Sequence, residues 1–221
     1  MKRTIISGLL LLSLLGCENT DIRDAPVSSP VSTPDATEEV KEEATGAIAS
    51  DNSGGGLWSQ LRQKEGHYFV LMRHALAPGT GDPANFRVDD CATQRNLSAE
   101  GREQARRTGE AFKAQGIVVD RVLSSQWCRC LETAQLLDIG EVEEFLPLNS
   151  FFRDRSKGPA QTAAIREFMR DIGDSPGVTV MVTHFVTVSA MSDMGVSSGA
   201  MVVMRVEKGD RLEVVGEIEA F

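Results

Sequence analysis

Residues 67–75 read His-Tyr-Phe-Val-Leu-Met-Arg-His-Ala, a compact apolar run that ends in an arginine and a histidine. Such a run predicts a strand that is buried on both faces. A second apolar run, Val178 to Val182, leads into Thr183 and His184. The chain has three histidines, so two of them directly follow predicted strands. The third, His67, is predicted to lie at the surface or at the start of its strand.

Strand and helix patterns alternate through residues 57–221. Helices are predicted near residues 57–61, 98–114, 127–137 and 159–172, with a short one after His184, and further strands at 121–123, 142–146, 201–206 and 212–218. The last two strands are expected to form a hairpin around residues 208–210. This order predicts an α/β fold, a three-layer α/β/α sandwich with a mostly parallel central sheet. Because ligands bind beyond the carboxyl ends of such strands, residues following Met72, Leu123 and Val182 are expected to lie together.

The residues at these strand ends suit phosphoryl transfer. A neutral imidazole can attack phosphorus and form a phosphohistidine, which splits hydrolysis into two easier displacements. Arginine can grip the oxygens of the transferring group bidentately, and positioning and charge stabilisation supply most of the catalysis. We therefore predict that His74 is the nucleophile and that Arg73, Arg129 and His184 hold the phosphoryl group.

The first seventeen residues have the pattern of an export signal. Lys2 and Arg3 precede an apolar run from Ile5 to Leu15, which is too short to span a bilayer comfortably. The run ends in Leu-Leu-Gly-Cys, which resembles the lipobox of bacterial lipoproteins and implies that Cys17 is lipidated. An ordinary signal peptide with a coincidental cysteine is the alternative.

Residues 18–56 form a polar segment with Pro26, Pro30, Pro34 and an acidic stretch, closed by three glycines. So few apolar residues predict a flexible linker between the signal and the domain at 57–221. The formal net charge of the chain is −9, and most of it lies in this segment. Without a basic block, nucleic acid is not an expected partner.

Four segments of the domain, in order, resemble the histidine phosphatase, or phosphoglycerate mutase-like, superfamily. Leu71 to Ala75 is similar to the R-H-G signature, with Ala75 in place of glycine. Residues 96–105 resemble its L-[ST]-x-x-G-x-x-Q-A helix start, and residues 124–134 its S-S-x-x-x-R-x-x-x-T-A segment. Residues 182–184 resemble the segment with the second histidine. The resemblance, which covers about residues 67–206, implies a phosphoglycerate mutase-like fold with His74 as the phosphorylated residue. It also implies that no metal is required, and no cofactor is expected.

If Cys17 is lipidated, Cys91, Cys128 and Cys130 remain, an odd number for a protein outside the cytosol. One disulfide and one buried thiol is the simplest assignment, with a zinc site as the weaker alternative. The family resemblance implies that Cys130 occupies a small buried position and that Cys128 is at a variable one. It thereby favours a Cys91–Cys128 disulfide that pins the loop at 75–95.

The resemblance leaves the general acid unassigned. Many family members carry a carboxylate soon after the strand near residue 145, where this chain has Asn149, or directly after the second histidine, where it has Phe185. The candidates are loop residues, namely Asp82, Asp89, Asp90 and Asp154. A leaving group that needs no proton, as in phosphohistidine or acyl phosphates, would remove the requirement.

These features predict a phosphatase, anchored to the membrane through Cys17 on the periplasmic or cell-surface side. It would hydrolyse a phosphomonoester or related compound through a phosphohistidine. The expected substrate is a phosphorylated small molecule, a cell-envelope phosphate or a phosphoprotein. The missing acid and the export signal argue against a phosphoglycerate mutase, and compartment favours the analogy with phosphatases of lipopolysaccharide-core phosphate over phosphohistidine phosphatases. The alternative is a non-catalytic lipoprotein that binds a phosphorylated ligand in the same pocket.

Overall fold

The computed structural model of the protein describes residues 54–207 and 211–221. The predicted signal at 1–17 with Cys17, nearly all of the linker and the turn at 208–210 lie outside them. The helices are α1 (Gly54–Gln63), α2 (Ala99–Ala114), α3 (Cys128–Leu137), α4 (Gly158–Ile172) and α5 (Phe185–Ser192). The strands are β1 (His67–Arg73), β2 (Arg121–Ser124), β3 (Val142–Glu144), β4 (Gly177–Thr183), β5 (Met201–Glu207) and β6 (Arg211–Ile218).

The six strands form one sheet in the order β3-β2-β4-β1-β5-β6. The first four strands in this order run parallel, and β5 and β6 are antiparallel to their neighbours. Helices α1, α2 and α3 contribute to the core on one face of the sheet, and α4 and α5 to the core on the other. This arrangement confirms the predicted α/β sandwich with a mostly parallel sheet and the pairing of the last two strands.

Helix α2 begins where the sequence predicts it. The side chain of Ser98 accepts a hydrogen bond from the backbone N–H of Gly101 at 3.0 Å, which satisfies one of the free donors of the first turn. Two glycines let this helix approach its neighbours closely. A Cβ atom at Gly101 would lie 2.1 Å from the Leu76 carbonyl oxygen, and one at Gly109 would lie 1.9 Å from the Leu137 carbonyl oxygen. Helix α2 can therefore pack this closely against Leu76 and Leu137 only because both positions are glycine.

Two details differ from the sequence prediction. Helix α1 begins at Gly54, inside the last residues of the predicted linker. Strand β3 ends at Glu144, and a short 3₁₀ turn over Leu146–Leu148 follows because Pro147 has no N–H to donate to a neighbouring strand. His67 starts β1, which is one of the two positions predicted for it, and is buried there with Nδ1 2.9 Å from the Ser175 carbonyl oxygen. None of the helices among the described residues has the length and apolar character of a membrane-spanning segment.

Candidate active site

Three neighbouring parallel strands deliver the predicted site residues to one edge of the sheet. The register pairs Arg73 at the end of β1 with Thr183 at the end of β4, and Ser124 at the end of β2 with Val182. The next residues therefore emerge together, as expected for ligand sites in such sheets. Residues Arg73, His74, Arg129 and His184 all line one cavity of about 170 Å³ at this edge.

His74 is held as a neutral imidazole. Its Nδ1 lies 2.8 Å from the Ala75 carbonyl oxygen, which can only accept, so Nδ1 carries the proton and Nε2 carries the lone pair. Burial, followed by the charge of Arg129, lowers the pKa of His74 to about 3. The lone pair of Nε2 accepts a hydrogen bond from Nε of Arg129 at 3.2 Å. His74 thus has the tautomer and charge state of a nitrogen nucleophile at neutral pH.

Arg129, in the first turn of α3, connects the other groups of the cavity. Besides His74, it donates from Nη2 to Nδ1 of His184 at 3.3 Å and from Nη1 to Oδ1 of Asp82 at 2.6 Å. Its side chain is almost completely buried. It also donates to the Arg95 carbonyl oxygen at 3.4 Å. A guanidinium with four partners has its plane fixed, so its position relative to both histidines is set before any ligand arrives.

His184 caps the N-terminus of α5 and has the opposite tautomer. Ser125 Oγ donates to Oδ1 of Asn149 at 3.2 Å, so it can only accept from Nε2 of His184, which lies 2.9 Å away. Nδ1 of His184 is then free to accept from Arg129. Burial and the charge of Arg129 lower the pKa of His184. Asn149, which stands where many family members have an acid, orients this histidine through Ser125.

Ser125 and Asn149 are supporting residues to which the sequence assigned no role in the site. Ser125 belongs to the segment at 124–134 that resembles the family pattern, and this resemblance is the signal that could have indicated its place in the site. The sulfur of Cys130 also lies 3.5 Å from Nε2 of His184, inside the core. Burial raises the pKa of the Cys130 thiol to about 12, so it is a neutral packing group beside the histidine.

Of the four candidate acids, the structure brings only Asp82 into the cavity. Its Oδ2 accepts a hydrogen bond from the indole Nε1 of Trp127 at 3.1 Å, in addition to the contacts with Arg129. Burial by itself raises the pKa of Asp82, but the hydrogen bonds from Arg129 and Trp127 outweigh it and lower the pKa. Asp82 is therefore a carboxylate in the unliganded protein.

The other three aspartates lie outside the cavity lining. Asp90 and Asp154 cap short 3₁₀ turns, accepting from the backbone N–H groups of Ala92 and Ser156. Asp89 is exposed to solvent. None of these three has a position from which to protonate a leaving group in the cavity.

Two further arginines make the cavity strongly cationic. Arg73 donates from Nη1 to the Val196 carbonyl oxygen at 2.9 Å, and its buried Nε has no hydrogen-bond partner among the described residues. Arg95 donates from Nε to the Gly81 carbonyl oxygen at 2.8 Å. Burial, together with the charge of Arg129, lowers the pKa of both. With Arg129, three guanidinium groups face one carboxylate, that of Asp82, so the cavity has an excess of positive charge for an anion.

The loop that carries Asp82 is bound covalently to α3. Cys91 and Cys128 form a disulfide, as the family resemblance implied, and Cys130 is the free buried thiol. The side chain of Gln94 adds a second tie, because its Oε1 accepts from the backbone N–H of Cys128 at 3.0 Å. Within the described residues, no group of three or more histidine, cysteine, aspartate or glutamate side chains is placed to hold a metal ion.

Comparisons with known proteins agree with this fold. Residues 69–170 match the family model of the histidine phosphatase superfamily, branch 1. No curated protein sequence matches the chain significantly.

Solved structures of phosphatases share the fold at low sequence identity. A mycobacterial glucosyl-3-phosphoglycerate phosphatase is 16% identical with a TM-score of 0.50, over 66% of this chain and 96% of that protein. A phosphoserine phosphatase from Entamoeba histolytica is 12% identical with a TM-score of 0.50, over 68% and 96%. A candidate alpha-ribazole-5'-P phosphatase from Escherichia coli K-12 is 14% identical with a TM-score of 0.51, over 67% and 94%. The chain therefore resembles the histidine phosphatase superfamily over residues 69–170 and shares the fold of these phosphatases.

Proposed function

We propose that the protein is a phosphohydrolase that works through a phosphohistidine on His74 and needs no metal ion. The observation that carries this proposal is the state of His74, a neutral imidazole whose Nε2 lone pair is held beside Arg129 in a cavity with excess positive charge. The guanidinium groups of Arg73, Arg95 and Arg129 supply the charge stabilisation that phosphoryl transfer requires.

The reaction has two displacements. Nε2 of His74 attacks phosphorus while the bond to the leaving oxygen breaks, and the electron pair of that bond departs with the leaving group. For this attack, the hydrogen bond from Arg129 to Nε2 must pass to a phosphoryl oxygen, which exchanges a neutral acceptor for a charged one. Water then attacks phosphorus, the bond from phosphorus to Nε2 breaks, and inorganic phosphate leaves with His74 restored.

Asp82 is the proposed proton donor for leaving groups that need one. It begins as a carboxylate, so it must first take up a proton. A bound phosphoryl dianion favours that uptake, because it competes for Arg129 and brings like charge close to Asp82. Substrates with acidic leaving groups, such as acyl phosphates, would bypass this step.

The proposed setting is the outer side of a membrane, with the domain tethered through lipidated Cys17. This part rests on the sequence of residues 1–17 and on the disulfide, since disulfides persist in oxidising compartments. A cell-envelope phosphate or another exported phosphorylated compound fits that setting. The substrates in the names of the similar structures are those of the named proteins, and we do not assign them to this chain.

A second candidate function is binding without turnover. The pairing of Arg129 with Asp82 favours it, because an ionised carboxylate is a poor acid. In that case the cavity would hold a phosphorylated ligand and release it unchanged.

The decisive experiment compares the full chain with His74→Ala and with His67→Gln as a histidine control outside the cavity. Turnover of p-nitrophenyl phosphate is measured, and the phosphoenzyme is trapped and mapped by mass spectrometry. We expect phosphate on residue 74 and loss of turnover in His74→Ala only. Equal turnover in all three proteins would exclude His74 as the nucleophile, whereas phosphate binding without turnover in any of them would favour the binding function.

A further inference from the structure

Two phenylalanine side chains at the mouth of the cavity are exposed in a way that the phosphoryl chemistry does not require. Phe152 and Phe185 are each 44% exposed, and both line the cavity that contains His74. The other large apolar side chains with comparable exposure in the described residues are absent from that lining, namely Val88, Val118, Leu146 and Phe221. Large apolar groups that stay exposed beside a polar cleft are typical of a surface that a ligand covers.

The two rings come from separate segments beside the part of the cavity where His74 and Arg129 would hold the phosphoryl group. Phe185 directly follows His184 and opens α5. Phe152 lies in the loop before α4, and a Cβ at Gly81, the neighbour of Asp82, would be 3.7 Å from Cε1 of this ring. A leaving group that extends out of the cavity from a phosphoryl group at His74 therefore meets these rings.

A guanidinium group also lies over the face of each ring. The guanidinium carbon of Arg73 lies 5.4 Å from the ring centroid of Phe185, and that of Arg155 lies 5.2 Å from the centroid of Phe152. Both distances are within the range of a cation–π contact, which holds a ring in place by attraction to its face. Because Arg73 also donates to the Val196 carbonyl oxygen, the Phe185 ring is supported by a guanidinium that is itself anchored.

We infer that Phe152 and Phe185 form a leaving-group subsite that selects phosphate esters of an aromatic ring. This inference rests on the proposed function and names the substrate class for the same cavity. The rings offer flat, polarisable faces, against which an aromatic leaving group gains stacking energy beyond the burial of apolar area. The acidity of a phenol-type leaving group also suits a cavity whose carboxylate, Asp82, is ionised at rest.

The test measures binding separately from chemistry by using phosphonates, which carry no hydrolysable ester. The probes are methylphosphonate, cyclohexylmethylphosphonate and benzylphosphonate, the last two being matched in size but not in aromaticity. Their dissociation constants are measured by isothermal titration with the full chain, with Phe152→Ala, Phe185→Ala and the double variant, and with Val118→Ala as an exposed apolar control outside the cavity. Phe152→Leu and Phe185→Leu keep apolar bulk and replace any alanine variant that does not fold.

We expect benzylphosphonate to bind about tenfold more tightly than methylphosphonate in the unaltered protein, with cyclohexylmethylphosphonate between them. The double variant should lose this discrimination while its affinity for methylphosphonate is retained, and Val118→Ala should leave all three values unchanged. With phenyl phosphate as substrate, each phenylalanine variant should raise KM and leave kcat near its original value.

The inference is overturned if benzylphosphonate has no advantage over cyclohexylmethylphosphonate, or if the advantage persists in the double variant. Its failure is distinguishable from failure of the proposed function. Turnover of p-nitrophenyl phosphate without aromatic preference would reject the subsite alone. Preferential binding of benzylphosphonate in a protein that hydrolyses no ester would reject the phosphatase and keep the subsite.

Discussion

Nη1 of Arg129 lies 2.6 Å from Oδ1 of Asp82, and the two side chains are only 3% and 6% exposed. The protein thus places its own carboxylate against the arginine that we expect to hold a phosphoryl oxygen. An anionic ligand and Asp82 must share this guanidinium. The affinity of the cavity for phosphate is therefore set partly by competition inside the protein.

Asp82→Asn should strengthen the binding of inorganic phosphate by about tenfold, because the competing negative charge is removed while Trp127 keeps an acceptor. Isothermal titration with phosphate measures this change, and Asp89→Asn, on the exposed part of the same loop, is the control. If Asp82 also donates the proton, kcat should fall for an alkyl phosphate and stay near its original value for p-nitrophenyl phosphate. Weaker phosphate binding in Asp82→Asn would show instead that Asp82 orients Arg129.

The pH dependence of stability follows from the buried histidines. Burial is the largest cause that lowers the pKa values of His67, His74 and His184 from the usual histidine value of 6.5, and the pKa of His74 falls to about 3. Between these two pH values the unfolded chain binds more protons than the folded one, so the free energy of unfolding falls as the pH decreases from 6.5 towards 3. Above pH 6.5 these histidines are neutral in both the folded and the unfolded state, so they do not make the free energy of unfolding depend on pH.

Urea unfolding at pH 8, 6.5, 5 and 4 measures this dependence. The slope below pH 6.5 should be smaller in His67→Gln, since one of the three groups is removed. A free energy of unfolding that is constant from pH 8 to 4 would contradict the assignment. The neutral form of His74 should also persist in this range, so kcat/KM should show no loss near pH 6.5 from protonation of this residue.

Loss of the Cys91–Cys128 disulfide should lower both stability and substrate affinity. The bond closes a sequence separation of 37 residues, and Cys91→Ser with Cys128→Ser should cost about 3 to 4 kcal/mol of unfolding free energy on the chain-entropy model. KM should rise as well, because the loop with Asp82 is then tied to α3 by weaker contacts such as that of Gln94. Thermal unfolding and steady-state kinetics measure the two effects.

Cys130→Ala is the stability control for this experiment, because it removes the free thiol and keeps the disulfide. It should unfold at a lower denaturant concentration than the unaltered chain but well above the double serine variant. Equal stability of the double variant and the unaltered chain would show that the disulfide does not restrain the folded domain.

Gly109→Ala should destabilise the protein by about 1 to 3 kcal/mol, the usual range for overpacking, or more. The added methyl group would lie 1.9 Å from the Leu137 carbonyl oxygen, so α2 and α3 must move apart. Gly195→Ala is the matched control, as its nearest neighbour would be a Phe185 ring atom at an ordinary 3.7 Å. Chemical denaturation of both variants tests the prediction, and equal midpoints would refute it.

The strand-end residues and the helices could be predicted because their signals are local. Apolar runs identify β1 and β4, and the parallel order brings His74 and His184 to one edge without further information. The Ser98 cap is likewise a property of a few adjacent residues. For these features, periodicity and strand polarity are sufficient.

The choice among the candidate acids could not be made in this way. Residues 75–95 have no helical or strand period, and Asp82 is selected by Arg129 and Trp127, which lie more than forty residues further along the chain. The burial of His67 depends in the same way on contacts with Ser175 and Thr179. Where a side chain's environment is made by distant segments, sequence pattern identifies the candidates and only the tertiary contacts distinguish them.

The position of β4 in the sheet has a consequence for how the cavity comes into being. This strand lies between β1 and β2, although it follows both in the chain. Strand β1, which leads to His74, and strand β2, which leads to Arg129, are therefore not joined in one sheet until β4 inserts between them. This pairing of segments that are far apart in the sequence is of the kind that slows folding. An anion that requires all three strand ends binds only the completed sheet, so saturating phosphate should raise the melting temperature of the whole domain.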